Sequence, residues 1–216
     1  MPSERFPARA VAAARLVARL GGRFSTELGI DVDGGAGEVE KWFLASTLFG
    51  TRISAQIAMN TYRSLVEGGV ATIHDASARS WGDLVALLDS GGYARYDFRT
   101  ATRLLELATA VADRYPKGIA ALSSLADPSG LEAELDRLPG WGSVTVRVFL
   151  RELRGVWPGA GPLLDQRAAI AAAHLGFTKT KRPMTIQELA NLAREADIDV
   201  RDLESALVRV GLRRAR

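Results

Sequence analysis

The sequence predicts an all-α fold. Apolar residues recur at three- and four-residue intervals through almost every long segment, the spacing that lines one face of a helix. Glycine pairs and prolines punctuate these segments at Gly21-Gly22, Gly68-Gly69, Gly91-Gly92 and Pro116. No run alternates apolar with polar residues as a half-buried strand does, and there are no repeats or low-complexity tracts.

The elements follow in order. Ala8 to Leu20 carries helical spacing and stops at Gly21-Gly22. Phe24 to Gly37 is short and rich in Gly and Asp, and reads as a loop. Glu38 to Phe49 and Ile53 to Glu67 are helices, the second closed by Gly68-Gly69. Ile73-His74-Asp75 reads as the approach to a helix cap. Ser80 caps a helix running to Leu88, with Asp83 three residues on, and Gly91-Gly92 stops it. Tyr96 to Tyr115 is the longest helix, with Leu104, Leu105, Leu107, Ala108 and Val111 on one side, until Pro116 breaks it. Ser129–Arg137, Ser143–Leu153 and Leu164–Leu175 are three more. Pro183–Ala196, opened by a Thr185/Glu188 capping box, and Asp199–Gly211 complete the pattern.

Composition bounds the function. The chain has 216 residues, enough for a sizeable core, with 47% hydrophobic and 25% charged residues. Twenty-eight Lys+Arg against 25 Asp+Glu gives only +3, which permits phosphate contacts without pointing to them. The absence of cysteine excludes disulfides, thiolate nucleophiles and a cysteine-ligated iron–sulfur cluster. With only His74 and His174 besides, a transition-metal site is not expected, and His174 reads as a helix end. Arg5, Arg9, Arg15 and Arg19 interrupt the N-terminal apolar residues, so no signal peptide is read, no membrane is expected, and the expected location is cytoplasmic.

One stretch carries chemistry: Leu138-Pro139-Gly140-Trp141-Gly142-Ser143-Val144-Thr145-Val146-Arg147. A Pro-Gly-x-Gly turn between two helices reads as a helix-hairpin-helix. Glycine lets the backbone approach a ligand closely, and the first N–H groups of the second helix are unpaired and electropositive, so they suit a DNA phosphate. Such a grip reads no bases. The plainer alternative is an ordinary connection with glycine at the turn. Downstream, Asp165 follows Leu163-Leu164 and opens a helix, which suits either an N-cap or a functional carboxylate.

Three blocks together resemble the helix-hairpin-helix DNA glycosylase superfamily, which includes endonuclease III and the mismatch, 8-oxoguanine and alkylpurine glycosylases. They are Ser46 to Ala58, Gly140 to Arg147 with its lead-in from Ala101, and Pro162-Leu163-Leu164-Asp165-Gln166-Arg167 running to Phe177. The resemblance covers roughly residues 40 to 178. It implies a two-lobe helical glycosylase fold with an active-site cleft between the lobes. Residues 40–157 would form a helical barrel lobe, with the hairpin at 130–153, and 1–39 with 158–216 the second lobe.

The resemblance implies hydrolysis of the N-glycosidic bond of a damaged or mismatched base, with Asp165 as the catalytic carboxylate. It implies DNA contacts from Leu138, Pro139, Gly140, Trp141, Gly142, Ser143, Thr145, Arg147 and Arg167. Arg52, or alternatively Gln56, takes the position of the side chain that fills the gap left by an extruded base; for Arg52, a solvated charge is an equal alternative. Trp42, Tyr93, Tyr96 and Trp157 are candidate walls for the base, although aromatics at such spacing more often belong to a core. A monovalent cation, Na+ or K+, on backbone carbonyls of Asp136, Leu138 and Trp141 is also implied. So are double-stranded DNA as partner, a monomeric state and nucleoid association.

The sequence departs from the family in two places. Bifunctional members carry a lysine where this chain has Val144, and valine forms no Schiff base with C1′, so strong lyase activity is not expected. The threonine–histidine that usually follows the aspartate is Gln166-Arg167. A non-catalytic DNA-binding protein, and a helical protein with no nucleic-acid role, are the rival classes.

Overall fold

A computed structural model describes residues 5–51, 53–178 and 182–214. Among these the protein is all-helical, without strands: α1 (Arg5–Leu20), α2 (Phe24–Glu27), α3 (Ala36–Phe49), α4 (Ala55–Glu67), α5 (Ile73–Ser77), α6 (Trp81–Ser90), α7 (Asp97–Arg114), a 3₁₀ helix (Ile119–Ser124), α8 (Pro128–Asp136), α9 (Ser143–Glu152), α10 (Gln166–His174), α11 (Ile186–Glu195) and α12 (Val200–Arg214). None of the described helices is long and apolar enough to cross a membrane.

Local chemistry explains most boundaries. The Ser80/Asp83 and Thr185/Glu188 pairs form reciprocal capping boxes, each side chain bonding the other's backbone N–H. Two short helices replace expected irregular chain. Phe24–Glu27 makes one turn inside the predicted loop, and Ile73–Ser77 is itself a helix, opened by a third capping box between Thr72 and Asp75. The 3₁₀ helix after Pro116 has no counterpart in the sequence reading.

The chain divides into two compact units, residues 28–162 and residues 1–27 with 163–216. The larger unit thus takes in 28–39 and 158–162 beyond the expected 40–157; Ile30, Val32 and Ala160 in these extensions are buried.

In the smaller unit α10 packs along α12, and α1 lies against α11 and α12. Small residues, Ala168, Ala171 and Ala172, meet Leu189, Leu203 and Leu207 in its core. Its polar side is tied by Arg23 to Asp202 at 3.0 Å and by Arg209 to Glu27 at 2.7 Å, with the Arg209 guanidinium 4.0 Å from the Phe24 ring centre. Asp199 titrates low: burial opposes this, but the Arg201 side chain and backbone N–H outweigh it.

In the larger unit α3 is central, packing on α4, α9 and the 3₁₀ helix, while α5 and α6 lie on α7. An aromatic cluster joins α3 to the hairpin. Phe43 stacks on Trp141 with ring centres 4.4 Å apart, and Phe149 meets both edge-on at 5.7 and 5.4 Å. Gly50 ends α3 against α9 so closely that a Cβ there would lie 1.8 Å from Thr145 Oγ1. Gly50→Ala is therefore expected to destabilise the protein by about 1–3 kcal/mol, the usual cost of overpacking. Thr145→Ala in the same chain should recover part of that loss. A urea midpoint unchanged by Gly50→Ala would show that the contact is not tight.

Candidate functional site

The hairpin is built by α8, a tight turn and α9. Asp127 caps α8 through the Gly130 N–H, and Pro128 stands at the first turn, where no N–H is needed. After Asp136 the chain turns through Leu138, whose N–H donates to the Leu135 carbonyl at 3.1 Å. Trp141 N–H then donates back to the Leu138 carbonyl at 3.0 Å. Gly140, between them, has φ 77°, a left-handed conformation that favours glycine. The apolar members anchor the turn from inside: Leu138 and Trp141 are buried, and the Trp141 indole N–H donates to Thr47 Oγ1 at 3.1 Å.

Gly142 differs from the other turn glycine. Its backbone is extended (φ −134°, ψ 179°), a conformation any residue adopts, and a Cβ on it would meet nothing within 4 Å. Neither backbone strain nor packing requires glycine there. It is exposed and opens α9, where no side chain caps the helix. The α9 ladder starts with Val146 N–H donating to the Gly142 carbonyl at 3.1 Å, so the N–H groups of Ser143, Val144 and Thr145 precede it.

The expected DNA contacts divide accordingly. Gly140, Gly142, Ser143 and Arg147 are exposed on the hairpin, and Pro139 is half-buried. Arg147 Nε donates to the Ser143 carbonyl at 3.2 Å. The side chains of Leu138, Trp141 and Thr145 are core groups at 2%, 5% and 3% exposure; they support the turn, and any contact from these residues would come from the backbone. Val144, where the resemblance would place a lysine in bifunctional members, is 55% exposed. Of the carbonyls expected to hold a cation, that of Leu138 already accepts from Trp141 and keeps one lone pair; Asp136 is exposed.

Gln56 is exposed on α4 and donates to Asn60 Oδ1 at 2.9 Å. Arg52 lies outside the described residues. The base-wall expectation fails for three of its four aromatics. Trp42 is fully buried, with its indole N–H donated to the Phe149 carbonyl at 3.2 Å. Trp157 packs edge-on against Phe149 at 5.5 Å, buried in the same cluster. Tyr93 is buried, its hydroxyl 2.5 Å from that of Thr51; both reach the Leu48 carbonyl, and burial pushes the phenol's pKa up. Tyr96 alone is half-exposed. Trp42, Tyr93 and Trp157 are core groups.

Asp165 belongs to the smaller unit and is the N-cap of α10. Its Oδ1 accepts the Arg167 N–H at 2.7 Å, and its own N–H donates to Glu204 Oε1 at 3.3 Å, so side chain and backbone are both fixed. The carboxylate is half-buried, and Arg167 is exposed beside it. Leu163, just ahead, is 85% exposed, unusual for a large apolar side chain. Hollows lined by Arg9, Phe177 and Glu188, and by Asp197 and Asp199, do not include Asp165.

Sequence reasoning missed Arg103 on α7. Its Cδ lies 3.6 Å from where a Gly140 Cβ would stand, so an arginine borders the turn. No local sequence signal connects the two positions.

No family model matches the chain, and neither a curated protein nor a solved structure matches it.

Proposed function

We propose that this protein is a monofunctional DNA glycosylase that grips duplex DNA through the Gly140–Ser143 hairpin and uses Asp165 as its carboxylate. The observation that carries the reading is Gly142. The fold does not need glycine there, so its bare Cα serves access from outside, at the start of an uncapped helix. A phosphate is the ligand that such N–H groups favour. The second support is Asp165, an aspartate held at its backbone and at one carboxylate oxygen. Base removal passes through a sugar cation at C1′, and a fixed carboxylate stabilises that cation and helps activate the attacking water. The helix-hairpin-helix glycosylase family, a Na+ or K+ ion on the hairpin carbonyls, and duplex DNA as partner belong to the same proposal.

A non-catalytic DNA-binding module is the second reading, favoured by the use of Asp165 as a helix cap. Base release separates the two.

The expected product is an abasic site on an unbroken strand, because Val144 supplies no amine. Duplexes carrying one alkylated, deaminated, oxidised or mismatched base test this by gel analysis with and without hot alkali, alongside borohydride trapping. Strand breaks only after alkali, without a trapped adduct, are predicted. A trapped adduct with alkali-independent cleavage would contradict the monofunctional assignment.

A further inference from the structure

The solvent face of α7 carries features the hairpin reading does not use. Arg99 and Arg103, four residues apart on α7, lie on one side of the helix, and Arg95 stands in the turn just before it. Four residues of helix rise about 6 Å, which sets the spacing of Arg99 and Arg103 along the axis. No ion pair forms at any of the three among the described residues, although Glu134 neutralises Arg114 and Arg137 in the same unit. Arg103 lies against Gly140.

Beside the arginines stands an exposed aromatic pair. Phe98 is 62% exposed and Trp81 44%, with ring centres 5.4 Å apart and planes 26° from parallel. The Trp81 indole N–H donates to Thr102 Oγ1 at 3.1 Å, which holds the indole on this face. Two large stacked rings left in water, flanked by guanidinium groups that form no ion pair among the described residues, suit a ligand that alternates flat apolar surfaces with negative charge. A duplex presents its charge but keeps its base faces stacked inside; an unpaired strand presents both.

We infer that the outer face of α7 is a binding surface for single-stranded nucleic acid, with Arg95, Arg99 and Arg103 along the phosphates and Trp81–Phe98 stacking an unpaired base. It goes beyond the hairpin's grip on duplex and does not depend on Asp165 being catalytic.

Fluorescence anisotropy with a labelled oligothymidylate of about 16 nucleotides, long enough for a site of this kind, tests it. Phe98→Ala removes an exposed ring and is expected to weaken binding about tenfold, given the usual value of one base–aromatic stack. Arg99→Ala with Arg103→Ala should lower the slope of log affinity against log salt by about 1.4, at about 0.7 per lost single-strand phosphate contact. Gly142→Glu should leave oligothymidylate binding in place while duplex binding falls. Circular dichroism of each variant establishes that it is folded. Parental affinity and salt slope in folded Phe98→Ala and Arg99→Ala/Arg103→Ala proteins would overturn the inference. So would oligothymidylate binding that is lost with Gly142→Glu and untouched by Phe98→Ala, which puts the strand on the hairpin.

Discussion

In Asp165→Asn, single-turnover release of the base is expected to fall by roughly 10²–10³, the typical value of one oriented electrostatic group, while duplex affinity stays at the parental level. The substitution is chosen for what it keeps. Asparagine is nearly isosteric, its amide oxygen still accepts the Arg167 N–H, and the Asp165 N–H can still reach Glu204. The α10 cap therefore survives and only the negative charge is lost. A helix-cap role alone predicts no change in chemistry, since asparagine caps as well as aspartate. The parental rate on every cleaved duplex would remove Asp165 from the catalytic role.

The second large effect is at the hairpin. Gly142→Glu is expected to weaken duplex binding about 10–100-fold at low salt without changing helical content. The backbone at Gly142 accepts any residue and a Cβ has open space, so the fold tolerates the change. What changes is the surface: a side chain and an anion stand where a phosphate would meet the first N–H groups of α9. Loss of charged hydrogen bonds of about 1.5–3 kcal/mol accounts for the range. Gly142→Ala, smaller and neutral, should lose less. In the parent, affinity should fall steeply with salt, because phosphate contacts release counterions. Equal affinity for Gly142→Glu and parent would mean that the hairpin is only a connection.

Features set by local chemistry were legible in the sequence. The Ser80/Asp83 and Thr185/Glu188 boxes and the Gly140 turn stand where side-chain and backbone rules put them. The Thr72/Asp75 box was present but opens only five residues of helix, too few to show a periodicity. The 3₁₀ helix Ile119–Ser124 has a different period and left no 3.6-residue pattern. The aromatics show the deeper limit. Large aromatics such as Trp42 and Trp157 tend to face inward, but whether inward means core or ligand wall depends on what fills the space, and Phe149 fills it. Thr145 is similar: its place at the start of α9 suggests exposure, but it is buried and Gly50 packs directly against it. Arg103 beside Gly140 and the Trp81–Phe98 stack are tertiary juxtapositions that neither segment announces alone.

The most direct measurement of the central claim is free base released into solution, separated chromatographically, from a panel of duplexes each bearing one lesion or mismatch, with protein in excess over DNA. The glycosylase account predicts free base from at least one duplex, in parallel with abasic sites and at a rate lost with Asp165→Asn. Tight, salt-sensitive binding to these duplexes with no free base from any of them would contradict it and leave a DNA-binding module.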